Sequence, residues 1–309
     1  LSLDVLGVPP STEAISEFLN NTSPLAWEQF VDKALGTPGY GERWGRHWLD
    51  VVRYAESYGF EHDLDNANAY HFRDFVIHAC NADQPFDQFI RWQLAGDELA
   101  HDNHLARLAT GFLAAGPRNA DIAQVRVEQE RYDELDDIAR TIGSGFLGLT
   151  IGCARCHDHK FDPITTEDYY GLAGILKSTR VMENFIKLAR WHENTIATES
   201  DRRRKSKHDE QVGTQKARID EVIRSANQTL LAKLKTTKLP AKPEAQYAPD
   251  TREQLAKLRA ALKVLEKQAP QMPTALGATE GKVQDLHVHV RGSHLRLGKL
   301  VPRRFPSVL

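Results

Sequence analysis

Apolar residues recur at spacings of three and four through most of the first 180 positions, so the pattern predicts one helix after another. Leu1 to Pro10 reads as an extended lead-in. Ser11 or Thr12 caps a short helix, with Glu13 in its first turn and Phe18 and Leu19 on its inner face. Leu25 to Leu35 forms a second amphipathic helix, which Gly36, Pro38 and Gly39 break. Residues 41–58 give the strongest stripe of the first half, through Trp44, His47, Trp48, Val51, Val52, Ala55 and Tyr58. Helices follow over Tyr70 to Cys80, from Pro85 to Leu99, and over Leu105 to Ala115. A long helix over 128–148 is acidic at its start, where negative charge suits the helix dipole, and small and apolar at its end. Thr165 or Thr166 caps the next helix, with Glu167 and Asp168 in its first turn. Residues 181–191, with Val181, Met182, Phe185, Ile186 and Trp191, fit either strand or helix.

The pattern changes near residue 195. From Glu199 to Lys235 charge dominates and only a narrow apolar stripe remains (Ile219, Val222, Ile223, Ala226, Leu230, Leu234). After Pro240, Pro243 and Pro249, Leu255, Leu258, Leu262 and Leu265 repeat at three and four. This reads as an antiparallel helical hairpin, a coiled-coil arm. The basic run Arg202 to Lys207 reads as a solvated face. Val283 to Arg291 then alternates like a strand, which places His287 and His289 on one face. The expected fold is mainly α. Residues 1–195 form an irregular helical domain, residues 196–270 the arm, and residues 271–309 a linker and the start of a following domain with a short strand.

Composition narrows the function classes. The 309 residues are 41% hydrophobic, enough for a sizeable core. A net charge of -2 gives no bulk argument for a nucleic-acid partner, and no apolar run reaches membrane-spanning length. The chain starts at Leu1 with neither Met nor signal peptide, so it reads as a processed piece of a longer protein.

The strongest chemical signal is Cys153-Ala-Arg-Cys156-His157, a C-x-x-C-H element that reads as a c-type haem attachment. Two thiols one turn apart can each form a thioether to a porphyrin vinyl group, and His157 can then be the proximal iron ligand. Gly143 and Gly145, just before it, permit close approach of another helix or of the flat porphyrin. A zinc site would need two more ligands, and Cys80 is the one remaining cysteine. A redox dithiol would follow a βα pattern that is absent here. Distal ligand candidates are Met182 and His47. An open sixth position would instead make His47, Arg53 and Asp50 the catalytic candidates. His159 is too close in sequence to cap the same iron. It is placed to bind a propionate or, with Asp158 and Asp162, a separate cation. Arg155 and Lys160 suit propionates by charge. Glu61, His62, Asp63 and Asp65 crowd a loop that matches no calcium-binding spacing. Asp97 and Glu98 sit unfavourably near a helix end, to be paired with Arg53 or Arg73 or to act chemically.

Several stretches in the same order carry a resemblance: Gly41-Glu-Arg-Trp-Gly-Arg-His-Trp-Leu-Asp50 with Arg53-Tyr-Ala55, Gln93-Leu-Ala-Gly-Asp97, Ala109-Thr-Gly-Phe112, and Phe146 through Asp162-Pro163. Residues 1 to about 191 resemble the DUF1549 family, the planctomycete cytochrome-type domain PSCyt2. The tail, with Val290-Arg-Gly292 and Val301-Pro302, resembles the opening of a DUF1553 domain. The resemblance implies an exported, periplasmic or otherwise extracytoplasmic haem protein, found alongside polysaccharide-degrading enzymes. It supplies no reaction. The expected function is a redox or electron-transfer module with haem c at Cys153 and Cys156, whose partners are other haem domains of the same longer protein or partner cytochromes. The alternatives are a peroxidase-like or polysaccharide-oxidising haem enzyme and, more weakly, a non-redox polysaccharide-processing or binding scaffold.

Overall fold

In chain order the helices are α1 (Ser2–Val5), α2 (Thr12–Asn20), α3 (Ala26–Leu35), α4 (Pro38–Val51), α5 (Tyr70–Asn81), α6 (Phe86–Leu99), α7 (His104–Ala109), α8 (Val127–Ile142), α9 (Thr166–Lys177), α10 (Glu199–Leu234) and α11 (Pro249–Lys267). They come from a computed structural model that describes residues 1–60, 62–184 and 187–309. Glu61 of the acidic loop, and Phe185 and Ile186 of the ambiguous stretch, lie outside the described residues. The chain is mainly helical, and its strands are short. They are β1 (Asp121–Ile122), β2 (Thr179–Arg180), β3 (Met182–Asn184), β4 (Lys187–Leu188), β5 (Arg190–Trp191), β6 (Glu193–Thr195), β7 (Thr274–Leu276), β8 (Thr279–Glu280), β9 (Leu286–His289) and β10 (Leu297–Val301). They pair two by two as β1–β4, β2–β8, β3–β5, β6–β7 and β9–β10. The stretch 181–191 therefore takes the strand alternative where it is described.

The chain divides into two compact units, Leu1–Asn194 with Thr274–Leu309, and Thr195–Pro273. The C-terminal residues read as the start of another domain are thus built into the first unit. Arg304 and Ser307 both engage Asp168 at the start of α9, at 3.0 Å each. The core of this unit is aromatic. Phe75 is fully buried between Phe72 and Phe89, its ring stacked on Phe89 at 5.7 Å. Full burial of a side chain of this size is worth about 1.5–3 kcal/mol. Trp48 of α4 packs on Phe89 and Phe146 and donates from its indole to the buried Gln93 at 2.8 Å.

Two helices differ from the periodic pattern. The lead-in contains the short α1. The stripe over 41–58 extends seven residues past the end of α4 at Val51. Arg53 adopts a left-handed conformation (φ 55°), Arg53 N–H bonds Asp50 O, and Tyr54 N–H bonds Leu49 O. This is a Schellman closure with arginine where glycine is usual. Its guanidinium is held by Asp137 of α8 at 2.7 Å, a tertiary contact that local periodicity does not register. The helix over 128–148 likewise stops at Ile142, and Gly143–Leu147 form a wider π turn. Its glycines do give close approach, but to protein. A methyl on Gly143 would meet Ile151 at 2.6 Å, and one on Gly145 would meet Val51 at 3.2 Å.

In the second unit α10 and α11 run antiparallel. His208 bonds the carbonyl of Leu265, and seven residues on, Gln215 donates to the carbonyl of Leu258, seven residues back. Ile219, Leu230, Tyr247 and Leu255 form the seam. The basic run is occupied within its own helix, Arg203 with Glu199 and Lys205 with Asp209.

Candidate functional site

Ile151–Arg155 form a single 3₁₀ turn between the end of the π turn and a loop leading to α9. A 3₁₀ turn repeats every three residues. Ile151 and Ala154, three apart, are fully buried, while Cys153 and Cys156, also three apart, are exposed. Both thiols are free. Local geometry therefore brings the two sulfurs outward on the strength of two apolar anchors.

Side chains from α8 and α9 fix this turn. Arg155 bonds Asp133 at 2.7 Å and lies 3.2 Å from Asp136. Arg140 bonds Asp136 at 2.7 Å, and the buried Tyr169 hydroxyl donates to the other Asp136 oxygen at 2.7 Å. Tyr170 donates to the Arg155 carbonyl at 3.0 Å. Burial works against the Arg155 charge, but the carboxylates outweigh it and hold the guanidinium more firmly protonated than a free arginine. Burial, then the charge of Asp136, pushes the Tyr169 hydroxyl well up, so it stays a donor.

His157 is exposed, and its Nδ1–H donates to the Asp158 carbonyl at 2.8 Å. That bond fixes the tautomer and leaves Nε2 with an open lone pair. His159 is turned inward, its side chain 6% exposed. Its Nδ1 accepts the backbone N–H groups of Phe161 and Asp162, at 3.2 and 2.8 Å, so Nε2–H donates to Thr150 at 2.8 Å. Both His159 nitrogens are thus committed to shaping the loop. Asp158 caps Thr166 at 2.8 Å, and Thr165 and Asp168 form a capping box for α9. Burial opposes the Asp168 charge, but the N–H groups of Thr165 and Ser307 prevail and bring its pKa down to about 2. Lys160 lies over the exposed ring of Phe161.

The remaining candidates lie apart from this surface in their bonding. His47 is exposed on α4 against Trp44, at 5.4 Å between ring centres, and Asp50 is exposed on the same helix. Arg53 belongs to Asp137. Met182 is buried and lines a cavity of about 240 Å³ with Arg118, Glu134 and Asp137. Asp97 and Glu98 are not paired with Arg53 or Arg73: Arg73 binds Glu56 and Asp74. Burial raises the Asp97 pKa. Asp63 closes its own loop by accepting the Gly59 N–H at 2.8 Å. Among the described residues no three His, Cys, Asp or Glu groups are arranged to hold a metal ion, which leaves the zinc and loop-cation readings without a donor set.

The two histidines of β9 differ in burial, and a bulge lies between their partners in β10, Leu297 and Leu300. His287 is exposed on the Gly298 carbonyl, whereas His289 is buried against Tyr132 and Tyr170, at 4.3 and 4.9 Å. Burial and nearby positive charge push the His289 pKa down to about 4. The turn after His289 brings Gly292 against Cys156, a neighbour that only the tertiary fold supplies.

The donor set fits a covalently held haem. Two accessible thiols lie at the required spacing beside an imidazole whose far nitrogen is free, and the C-terminal segment brings a glycine, Gly292, against Cys156. Residues 1–181 match the family model PSCyt2, described as a protein of unknown function (DUF1549). No curated protein and no solved structure matches the chain.

Proposed function

Because the chain belongs to the DUF1549 family, whose function is unknown, we propose its role from the site: an exported c-type cytochrome-like module, with haem attached at Cys153 and Cys156 and His157 as proximal ligand. The observation that carries this reading is the pair of free, exposed thiols on one face of a 3₁₀ turn, next to an imidazole with an open Nε2. When bound, haem supplies one-electron exchange at an iron whose potential the axial ligands set. The chain's own residues do the rest. Asp158 orients His157 through its carbonyl. Asp133 and Asp136 hold Arg155, and with it the peptide bond that precedes Cys156. Ile151 and Ala154 keep the thiols turned outward.

Electron transfer is favoured over an open catalytic site by what Arg53 does. The left-handed arginine is bound to Asp137, while His47 and Asp50 stand exposed on α4. The partner is then another haem domain of the same longer protein or a partner cytochrome, in an extracytoplasmic compartment where c-type attachment takes place. No helix among the described residues is long and apolar enough to cross a membrane.

Expression with a c-type maturation system tests the reading. The expected result is haem that survives denaturation with the polypeptide and is lost from a Cys153→Ser/Cys156→Ser variant. His157→Ala is expected to keep the thioethers and change the iron's optical spectrum. Absence of covalent haem, under conditions that load a control cytochrome, sinks the proposal.

A further inference from the structure

The segment after β9 turns through two successive left-handed residues, Arg291 (φ 54°) and Gly292 (φ 75°), and returns along β10. Val290 N–H bonds the carbonyl of Arg296, which closes the turn. Its base is anchored beside the motif. His289 is buried between Tyr132 and Tyr170, and Tyr170 holds the Arg155 carbonyl. Its tip lies on a thiol: a methyl built on Gly292 would stand 2.6 Å from the Cys156 sulfur, closer than real Cβ atoms come. The atoms that this methyl would meet belong to Cys156 and Arg155. Among the exposed side chains of the turn, beside Arg291 and Arg296, are the apolar Leu295 at 81%, Leu297 at 59% and Val290 at 44%, and Phe161 on the loop after the motif is 83% exposed. Apolar groups left open on this turn and on the loop after the motif suit an apolar ring, whose burial would cover them.

We propose that the turn Val290–Leu297 is a second wall of the haem site, and that Gly292 is the positioning residue that keeps the Cys156 thiol open for attachment. The wall lies outside residues 1–181, so the site is completed by a part of the chain that the family match does not cover. The haem part of this proposal rests on the preceding reading. The role of Gly292 at Cys156 does not.

Alkylation of the haem-free protein, followed by peptide mass mapping, reads each thiol separately. Gly292→Ala is expected to slow Cys156 about tenfold relative to Cys153, because the added methyl would crowd the sulfur. Gly213→Ala, where a methyl meets nothing within 4 Å, is expected to leave both rates unchanged. Alanine also strains a left-handed turn by itself. The substitution is therefore repeated in a Cys156→Ala background, where its cost in thermal midpoint is expected to shrink once the sulfur is gone. In protein matured with haem, Gly292→Ala is expected to give haem held through Cys153 alone. An unchanged Cys156 rate with an equal midpoint loss in both backgrounds overturns the proposal. Failure of the parent protein to load haem overturns the cofactor reading and leaves the thiol result to decide the role of Gly292.

Discussion

Asp133 and Asp136 of α8 reach Arg155 and Arg140 and so hold the turn that presents the two thiols. Glu134 and Asp137 of the same helix reach Arg118, Arg131 and Arg53, and with Asp133 they line the cavity of about 240 Å³. The residue types are the same, and Glu134 with its two arginines is the most enclosed set. In the first group Asp133 and Arg140 are 46% and 55% exposed, Asp136 and Arg155 10% and 15%. In the second, Asp137 and Arg53 are 40% and 29% exposed. The side chains of Glu134, Arg118 and Arg131 are 6%, 9% and 10% exposed. Arg118 is further covered by the Trp191 ring, 4.0 Å from its guanidinium carbon. Burial pushes the Glu134 carboxyl up, but the two guanidiniums outweigh it and hold it below the ordinary range, so Glu134 stays ionised. The first group holds the turn that carries the two thiols. Glu134 with Arg118 and Arg131 ties α8 to the segment around Arg118, and breaking that set leaves charge in a place that water does not reach.

Glu134→Ala is therefore the most damaging change to either group. It removes the carboxylate that balances the charge of Arg118 and Arg131, and a loss of about 3–5 kcal/mol in urea unfolding is expected. A loss below about 1 kcal/mol would place the pair with surface ion pairs and erase the contrast. Asp136→Asn acts on the other group. It removes the charge between Arg140 and Arg155 but keeps an acceptor for Tyr169, so about 1–3 kcal/mol is expected. Faster amide exchange confined to residues 151–157 would sharpen the comparison, and uniform acceleration across the domain would break it. The smallest effect belongs to pH. Asp168 has a folded pKa of about 2 against an ordinary 3.8, so its contribution is complete above that ordinary value and is lost as pH falls towards 2. Asp168→Asn is expected to flatten the thermal midpoint over that window and to leave its slope unchanged near neutrality.

Local signals were readable in the chain, and contacts across it were not. The Cys153-Cys156-His157 spacing, the Thr165/Asp168 capping box and the leucine stripe of α11 are each complete within a few residues, and the helical character followed from them. Arg53 shows the limit. Its place on a polar face within the span of the 41–58 stripe predicts more helix, whereas its conformation goes with a carboxylate 84 positions away. His289 shows another, because alternation gives the face a side chain takes and not what covers it, here Tyr132 and Tyr170. Gly292 had a signal, a glycine directly after a β-like run, which marks a turn but not what the turn covers.

The insertion of α10 and α11 between β6 and β7 has a consequence for the order in which the molecule comes into being. The hairpin closes on itself, His208 meeting a residue 57 positions away, and needs nothing from the first unit's sequence to do so. Gly292 follows Cys156 by 136 positions. A chain made from its N-terminus therefore presents both thiols and His157 long before the segment that flanks them exists. Through that interval the motif is a half-site, open on the side that the last residues of the unit later cover.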